Sequence, residues 1–169
     1  DINNIQSIKQ CIAKIEAKEP INVLINNAGF GHFGSIEMLS IEKAKAQFET
    51  NVFGQLRIIQ LMLPYMRQRN SGTIINVCSM ASVFSIPFQS HYSASKAALK
   101  TFTEALAVET QPFGIRVMSL SPGDINTSFN KNMAITNERI QNEESLNSLM
   151  IDDLIKNNPE SPESPYFDF

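Results

Sequence analysis

The sequence has no tryptophan, and its 169 residues hold only two cysteines and two histidines. Cys11 and Cys78 stand far apart, which gives neither a disulfide framework nor the close ligand spacing of a zinc site. Cys78 lies inside an apolar run and reads as a small buried hydrophobe. His32 and His91 have no carboxylate at ligand spacing, so they read as structural or solvated and no metal is expected. Positive charge is scarce too: 14 Lys and Arg against 17 Asp and Glu leave a net charge of −3. Nucleic-acid binding needs concentrated basic residues, so it is not expected. Long apolar runs are missing as well. The best candidate, "LRIIQLMLPYM" at 56–66, is too short to cross a bilayer and carries Arg57 and Pro64. The chain opens on Asp1 with no Met, basic n-region or apolar signal segment. We expect a cytoplasmic protein in a reducing compartment, and a piece of a longer chain.

What is present suits one globular domain. The hydrophobic fraction is 43% and the charged fraction 18%, enough to bury a core. Ile5, Ile8, Ile12 and Ile15 recur at helical steps over 3–19, and Pro20 ends that helix. "INVLINNA" at 21–28 reads as a buried parallel strand. A loop with Gly29, Gly31 and Gly34 follows. Ser40 caps a long helix over 41–69, with Leu56, Ile59, Leu63 and Met66 on one face and a kink or loosening at Pro64. "SGTIINVCS" at 71–79 is a second strand, 90–113 a helix stopped by Gly114, and "IRVMSLS" at 115–121 a third strand. Residues 143–157 read as a helix and the proline-rich tail as irregular. Helices alternating with strands imply right-handed βαβ units, a parallel sheet covered on both faces, and ligands at the carboxyl ends of its strands.

Those ends are where chemistry is sought. Tyr92 and Lys96 lie one helical turn apart and share a face. A phenol with a reference pKa near 10 costs about 4 kcal/mol to ionise at pH 7, and a nearby ammonium lowers that cost. The pair can therefore exchange a proton with an alcohol or carbonyl. On spacing alone, an exposed Tyr and Lys without a role is the better reading. The small residues Ser93, Ala94, Ser95, Ala97 and Ala98 let this helix lie close to a strand or cofactor. Ser79 ends the preceding strand, and a return loop can bring its hydroxyl to the same mouth. Asn51 is a poor helix-interior residue, and with Val52, Phe53 and Gly54 it suggests a buried distortion of the kind that frees a carbonyl for water.

"NNAG" at 26–29, "TNVFG" at 50–54, "INVCSMAS" at 75–82, "YSASK" at 92–96 and "SPGDINT" at 121–127 stand in the order and spacing of one family. The chain resembles the short-chain dehydrogenases/reductases over about residues 1–130. The resemblance implies a Rossmann-like, doubly wound parallel sheet in three α/β/α layers. It implies hydride exchange between NAD or NADP and an alcohol or carbonyl. Tyr92 matches the catalytic acid/base and Lys96 the residue that lowers its pKa and holds the nicotinamide ribose. Ser79 matches the residue that polarises the substrate oxygen, and Asn51 the one that holds a water in a relay to the lysine. Asn26 matches a residue that braces the sheet. Cofactor contacts implied in the same way are Asn27, Ala28 and Gly29, then Val77, Tyr92 and Lys96, and after the third strand Pro122, Gly123, Ile125 and Thr127. The helices at 41–69 and 90–113 match those that build a homodimer or homotetramer. Phe84, Ile86, Phe88 and Phe129 make a hydrophobic alcohol or ketone the expected substrate, with His91 and Asp124 near its mouth.

The sequence departs from the family in three respects: it shows no Gly-x-x-x-Gly-x-Gly turn to seat a pyrophosphate, no acidic or basic residue after a second strand to choose NAD or NADP, and no final apolar strand. The expected architecture is therefore incomplete, lacking the first strands and the last. Residues 1–130 form the later part of the Rossmann-like catalytic domain, and 131–169 a substrate-loop and helix region with an irregular tail. The leading strand should then lie at a sheet edge. Other readings are a catalytically silent nucleotide-binding or scaffold homologue, or a non-functional gene fragment.

Overall fold

The computed structural model describes residues 1–123 and 134–135. Three parallel strands form the sheet: β1 (Val23–Asn26), β3 (Gly72–Val77) and β4 (Ile115–Leu120), in the order β1-β3-β4. Asn26 pairs in register with Asn76, and Asn76 with Ser119. The leading strand is thus an edge strand, as expected. A second, two-residue pairing joins β2 (His32–Phe33) to β5 (Ala134–Ile135) inside segments read from the sequence as loop and polar tail. The proposed helix at 143–157 lies outside the described residues.

Helix α1 (Ile5–Glu16) starts at Asn4, whose side chain accepts a hydrogen bond from the Ser7 amide. Only Ile8 and Ile12 of its four stripe isoleucines are buried; Ile5 and Ile15 flank the contact and stay exposed. Ser40 caps α2 (Ile41–Phe48) as expected, accepting from the Lys43 amide. The single long helix is in fact three pieces. A π-helical turn at Glu49–Gly54 separates α2 from α3 (Gln55–Gln68), and α3 continues through Pro64. Its buried seam is Ile59, Met62 and Met66, with Leu56 and Leu63 at the flanks. Helix α4 (Ser90–Thr110) runs into a 3₁₀ turn, Gln111–Phe113. Gly114 then ends it at φ +64°, where a Cβ would also meet the Asn70 carbonyl oxygen at 2.7 Å. Only glycine satisfies both constraints.

The core, with Ile8, Ile12, Ile59, Met62, Met66, Ile74 and Ile115 at its centre, lies between α1, α3 and one face of the sheet. At the amino end of β1, Glu16 latches three elements. It accepts from the Ile21 amide at 2.9 Å and pairs with Arg69 at 3.0 Å, while Arg69 also donates to the Ile21 carbonyl. The opposite sheet face is apolar yet uncovered among the described residues: Val23, Ile25, Met118 and Leu120 are 52, 60, 45 and 56% exposed. Cover on both faces was expected; the described helices that carry the core supply one layer, and the second layer is not among them. Parallel strands normally have both faces buried.

An open edge beside a bare apolar face favours association. The purified 169-residue chain is expected to self-associate at micromolar concentration in sedimentation velocity, and charged substitutions at Ile25 and Met118 to reduce this. A monodisperse wild-type monomer with a cooperative melt contradicts that expectation.

Candidate active site

The site lies at the carboxyl ends of β1, β3 and β4, and polar residues on the buried side of α4 define it. Tyr92, Ser93, Ser95, Lys96, Leu99, Thr103 and Thr110 are the buried residues of that helix. Their spacing of three and four keeps most of them on one face, but that face is mainly polar. Each buried polar group therefore needs a partner.

Ser79 follows β3 in extended conformation and caps a 3₁₀ turn at Met80–Ser82, its hydroxyl accepting from the Ala81 amide at 3.1 Å. The same hydroxyl hydrogen-bonds Tyr92. Burial pushes the Tyr92 phenol above its ordinary value of 10.0, the Ser79 bond pulls it down, and the Cys78 thiol adds a push upward. Lys96 is 4% exposed, and its Nζ donates to the Val77 carbonyl at 2.7 Å. Burial pushes its ammonium below 10.5, with Cys78 opposing. Cys78 is itself pushed up by burial, against the pull of Lys96. Lys96 was expected to lower the Tyr92 pKa. In this arrangement Nζ lies over the Tyr92 ring, 5.8 Å from its centroid and within cation–π reach, and the causes of the Tyr92 shift are its burial, Ser79 and Cys78.

Asn51 sits in the π turn and is fully buried. The local distortion expected there is present. Its amide oxygen accepts from the Phe30 amide at 3.0 Å, and its Nδ2 donates to the Phe30 carbonyl at 2.9 Å and to Ser95 Oγ at 3.0 Å. Ser95 Oγ in turn donates to the Tyr92 carbonyl at 2.8 Å. The Asn51 side chain is thus a clamp between the loop after β1 and α4. A Cβ on Gly29 would stand 3.0 Å from Asn51 Oδ1 and 3.6 Å from Lys96 Nζ, so glycine leaves room for both.

Asn26 braces the sheet as expected, donating to Asn76 Oδ1 at 2.8 Å. Asn27 and Ala28 are exposed beyond β1, and the Ala28 carbonyl accepts from Gln55 at 2.7 Å. Val77 ends β3 half-buried. Pro122 and Gly123 follow β4, where the Pro122 carbonyl accepts from the Met80 amide at 3.0 Å. Ile125 and Thr127 lie outside the described residues. His91 contacts Ser90 at 3.3 Å, His32 packs edge-on to Phe30, and no metal-ligating cluster occurs among the described residues. Sequence reasoning missed Gln55 and did not assign Ser95 its bridging role; a polar residue recurring on an α4 face was the available signal.

Gly29, Gly31 and Gly34 have the spacing of a dinucleotide fingerprint, but that motif must open directly onto a helix. Here strand β2 intervenes and the next helix starts at Ile41, so this loop is no pyrophosphate cradle. The strand mouth fits a dinucleotide better, and there Ala28 and Gly29 match residues that let the backbone approach its adenosine part. A backbone stripped of side-chain bulk at Gly29, exposed Asn27 and Ala28, and a buried lysine cation converge at one strand mouth.

A parallel α/β sheet with a hydroxyl, a phenol and a buried lysine at its carboxyl edge has the architecture of the doubly wound, Rossmann-like class. The family description "short chain dehydrogenase" matches residues 1–138. The chain belongs to that family, and its relatives are oxidoreductases. It is 41% identical over 151 residues to 3-ketodihydrosphingosine reductase from Bacteroides thetaiotaomicron, covering 89% of this chain and 56% of that one. A solved short-chain dehydrogenase from Streptomyces avermitilis superposes with a TM-score of 0.78 at 34% identity, over 92% of this chain and 59% of that one. Gluconate 5-dehydrogenase from Burkholderia cenocepacia, solved with NADP and tartrate, gives 0.74 at 27% identity, over 78% and 52%. Other similar structures hold NADP or NAD. The chain spans about half the length of the relatives it matches. Among the described residues no helix is long and apolar enough to cross a membrane.

The site makes a direct statement about ionisation. In ultraviolet difference titration, one phenol of the three tyrosines should ionise later than an ordinary tyrosine and disappear in Tyr92→Phe. Ser79→Ala removes the downward pull and should move that phenol further up. A downward move, or none, contradicts the assignment.

Proposed function

We propose that the protein containing this chain is an NAD(P)-dependent oxidoreductase that interconverts a hydrophobic alcohol and its carbonyl, with Tyr92 as proton donor and acceptor. The observation that carries the reading is the Ser79–Tyr92 hydrogen bond at the sheet's carboxyl edge, with the phenol held protonated at neutral pH. A protonated phenol and a hydroxyl side by side can both donate to one carbonyl oxygen, and Tyr92 delivers the proton as that oxygen becomes an alkoxide. A nicotinamide dinucleotide, when bound, supplies or accepts the hydride. Lys96 places a cation beside the strand ends, where it stabilises developing negative charge and binds ribose hydroxyls. Asn51 holds the loop and α4 in register, and its π-turn backbone is suited to a water relay toward Lys96. Asn27, Ala28, Gly29, Val77, Pro122 and Gly123 would contact the dinucleotide, joined by Ile125 and Thr127.

Apolar side chains support a hydrophobic substrate. Met80, Val83 and Phe84 are exposed just beyond Ser79, and Ile86 and Phe88 are half-buried before Tyr92. The Bacteroides relative is named for a ketodihydrosphingosine. Exposed Ile41, Phe53, Phe102 and Val108 on α2, the π turn and α4 support a homodimer or homotetramer built on those helices. We assign the complete protein to the cytoplasm, with residues 1–130 as the later part of its catalytic domain and 131–169 as its substrate-loop and helix region.

In the complete protein, Tyr92→Phe should lower turnover with NADH or NADPH and an apolar ketone by about 10²- to 10⁴-fold with little change in cofactor affinity. Retained turnover identifies a different proton donor. The 169-residue chain alone should bind NADH and NADPH more weakly than micromolar in isothermal titration; micromolar binding contradicts the proposed division of the site.

A further inference from the structure

Two hydrogen-bonded ties hold α4 against β3. The first is Lys96 Nζ to the Val77 carbonyl at 2.7 Å. The second begins one residue earlier in the strand, where Asn76 Nδ2 donates to Thr103 Oγ1 at 2.8 Å. Thr103 is occupied on both sides, because its hydroxyl also donates to the Leu99 carbonyl at 2.6 Å. Asn76 is occupied too: its Oδ1 accepts from Asn26. The result is a continuous buried chain from edge strand β1 through β3 to α4, with Asn26, Asn76 and Thr103 all under 4% exposed.

Lys96 and Thr103 are seven residues apart, two turns on one helix face. Two ties at that separation fix the height of the helix on the strand and its angle to it, while the Asn51–Ser95 bond holds the same helix from the π turn. One tie to the strand would leave the helix free to pivot about it. That pivot matters because Tyr92 lies one turn beyond Lys96 while its partner Ser79 belongs to the strand. Threonine is an indifferent helix former, and its back-bond to the preceding turn bends helices slightly. Its presence here is explained by the otherwise unpartnered Asn76 amide.

We propose that Thr103 is a positioning residue for proton transfer. Through Asn76 it fixes how α4 seats on β3, and so how Tyr92 meets Ser79 and Lys96 meets Val77. The link to turnover rests on the oxidoreductase reading above; the placement of Lys96 does not. Thr110 is a matched control. It lies on the same helix, is similarly buried, donates to Leu106 at 2.8 Å in the same manner, and contacts the Ile115 carbonyl at 3.4 Å, at the helix end remote from Tyr92.

The experiment compares Thr103→Val, Thr103→Ser and Thr110→Val in the complete protein by turnover, melting temperature and NMR titration of the lysine side-chain nitrogens. Thr103→Val should lower kcat by roughly 10- to 100-fold with the cofactor KM nearly unchanged, as misplacement of reacting groups does. Thr103→Ser should restore most of it. Thr110→Val should lower the melting temperature comparably and leave kcat within about twofold. Lys96 titrates below its ordinary value in the wild type because it is buried. It should move up in Thr103→Val as water gains access, and stay in place in Thr110→Val. Equal loss of kcat in the two valine variants, or an unmoved Lys96 in Thr103→Val, overturns the proposal. If the wild type shows no turnover but Lys96 still responds to Thr103 alone, the oxidoreductase reading fails and the positioning role stands. Should Thr103→Val not fold, Thr103→Ala gives the same comparison, since it leaves space for a water on the Asn76 amide.

Discussion

A strand that leaves a parallel sheet abandons its ladder partners, and its backbone must find others if it stays buried. At the end of β1 those partners are the two ends of one side-chain amide. Asn51 meets the amide and carbonyl of Phe30 as a neighbouring strand would, and its remaining donor reaches Ser95. The rest of the site depends on this clamp. It holds the loop after β1 against the π turn, the π turn against α4, and through Ser95 the backbone of Tyr92 itself. A helix does not usually tolerate asparagine in its interior, since the amide competes with the backbone. Here the competition is resolved by giving the side chain a backbone of another segment.

Burial is the common cause of the site's electrostatics. Tyr92, Lys96 and Cys78 are each displaced toward their neutral forms by loss of water. Desolvation is the largest cause for each of the three, ahead of the hydrogen bond and the charges that act on them. Lys96 is not among the groups that shift the phenol here. A phenol that stays protonated is suited to giving its proton to a carbonyl.

Most of the element order was legible in the sequence because apolar periodicity and local punctuation are short-range signals. Ser40 capping α2, Gly114 ending the α4 segment, and the apolar run of β3 all required only neighbours in the chain. The failures have a shared physical origin. The π turn was visible only as an asparagine in an awkward place, since its extent depends on what Asn51 grips across 21 residues. Ile5 and Ile15 repeat the period of Ile8 and Ile12 but stay exposed, because the width of the buried stripe is set by α3 and not by α1. Strand β2 has too few residues to carry a pattern. The site residues after each strand could be named from motif resemblance, whereas the roles of Gln55 and Ser95 are spread across distant segments.

By itself the sequence determined which residues can do chemistry and in what order they occur along alternating helices and strands. The hydroxyl, phenol and ammonium are intrinsic to their side chains, and the spacing of Tyr92 and Lys96 places them on one helix face whatever packs nearby. Tertiary structure alone decided which of these groups touch and in what ionisation state. Ser79 reaches Tyr92, Lys96 reaches Val77, and Asn51 reaches Phe30 only because three strand ends and two helices meet at one edge. Contact distance and desolvation are properties of that meeting, and neither is encoded in spacing along the chain.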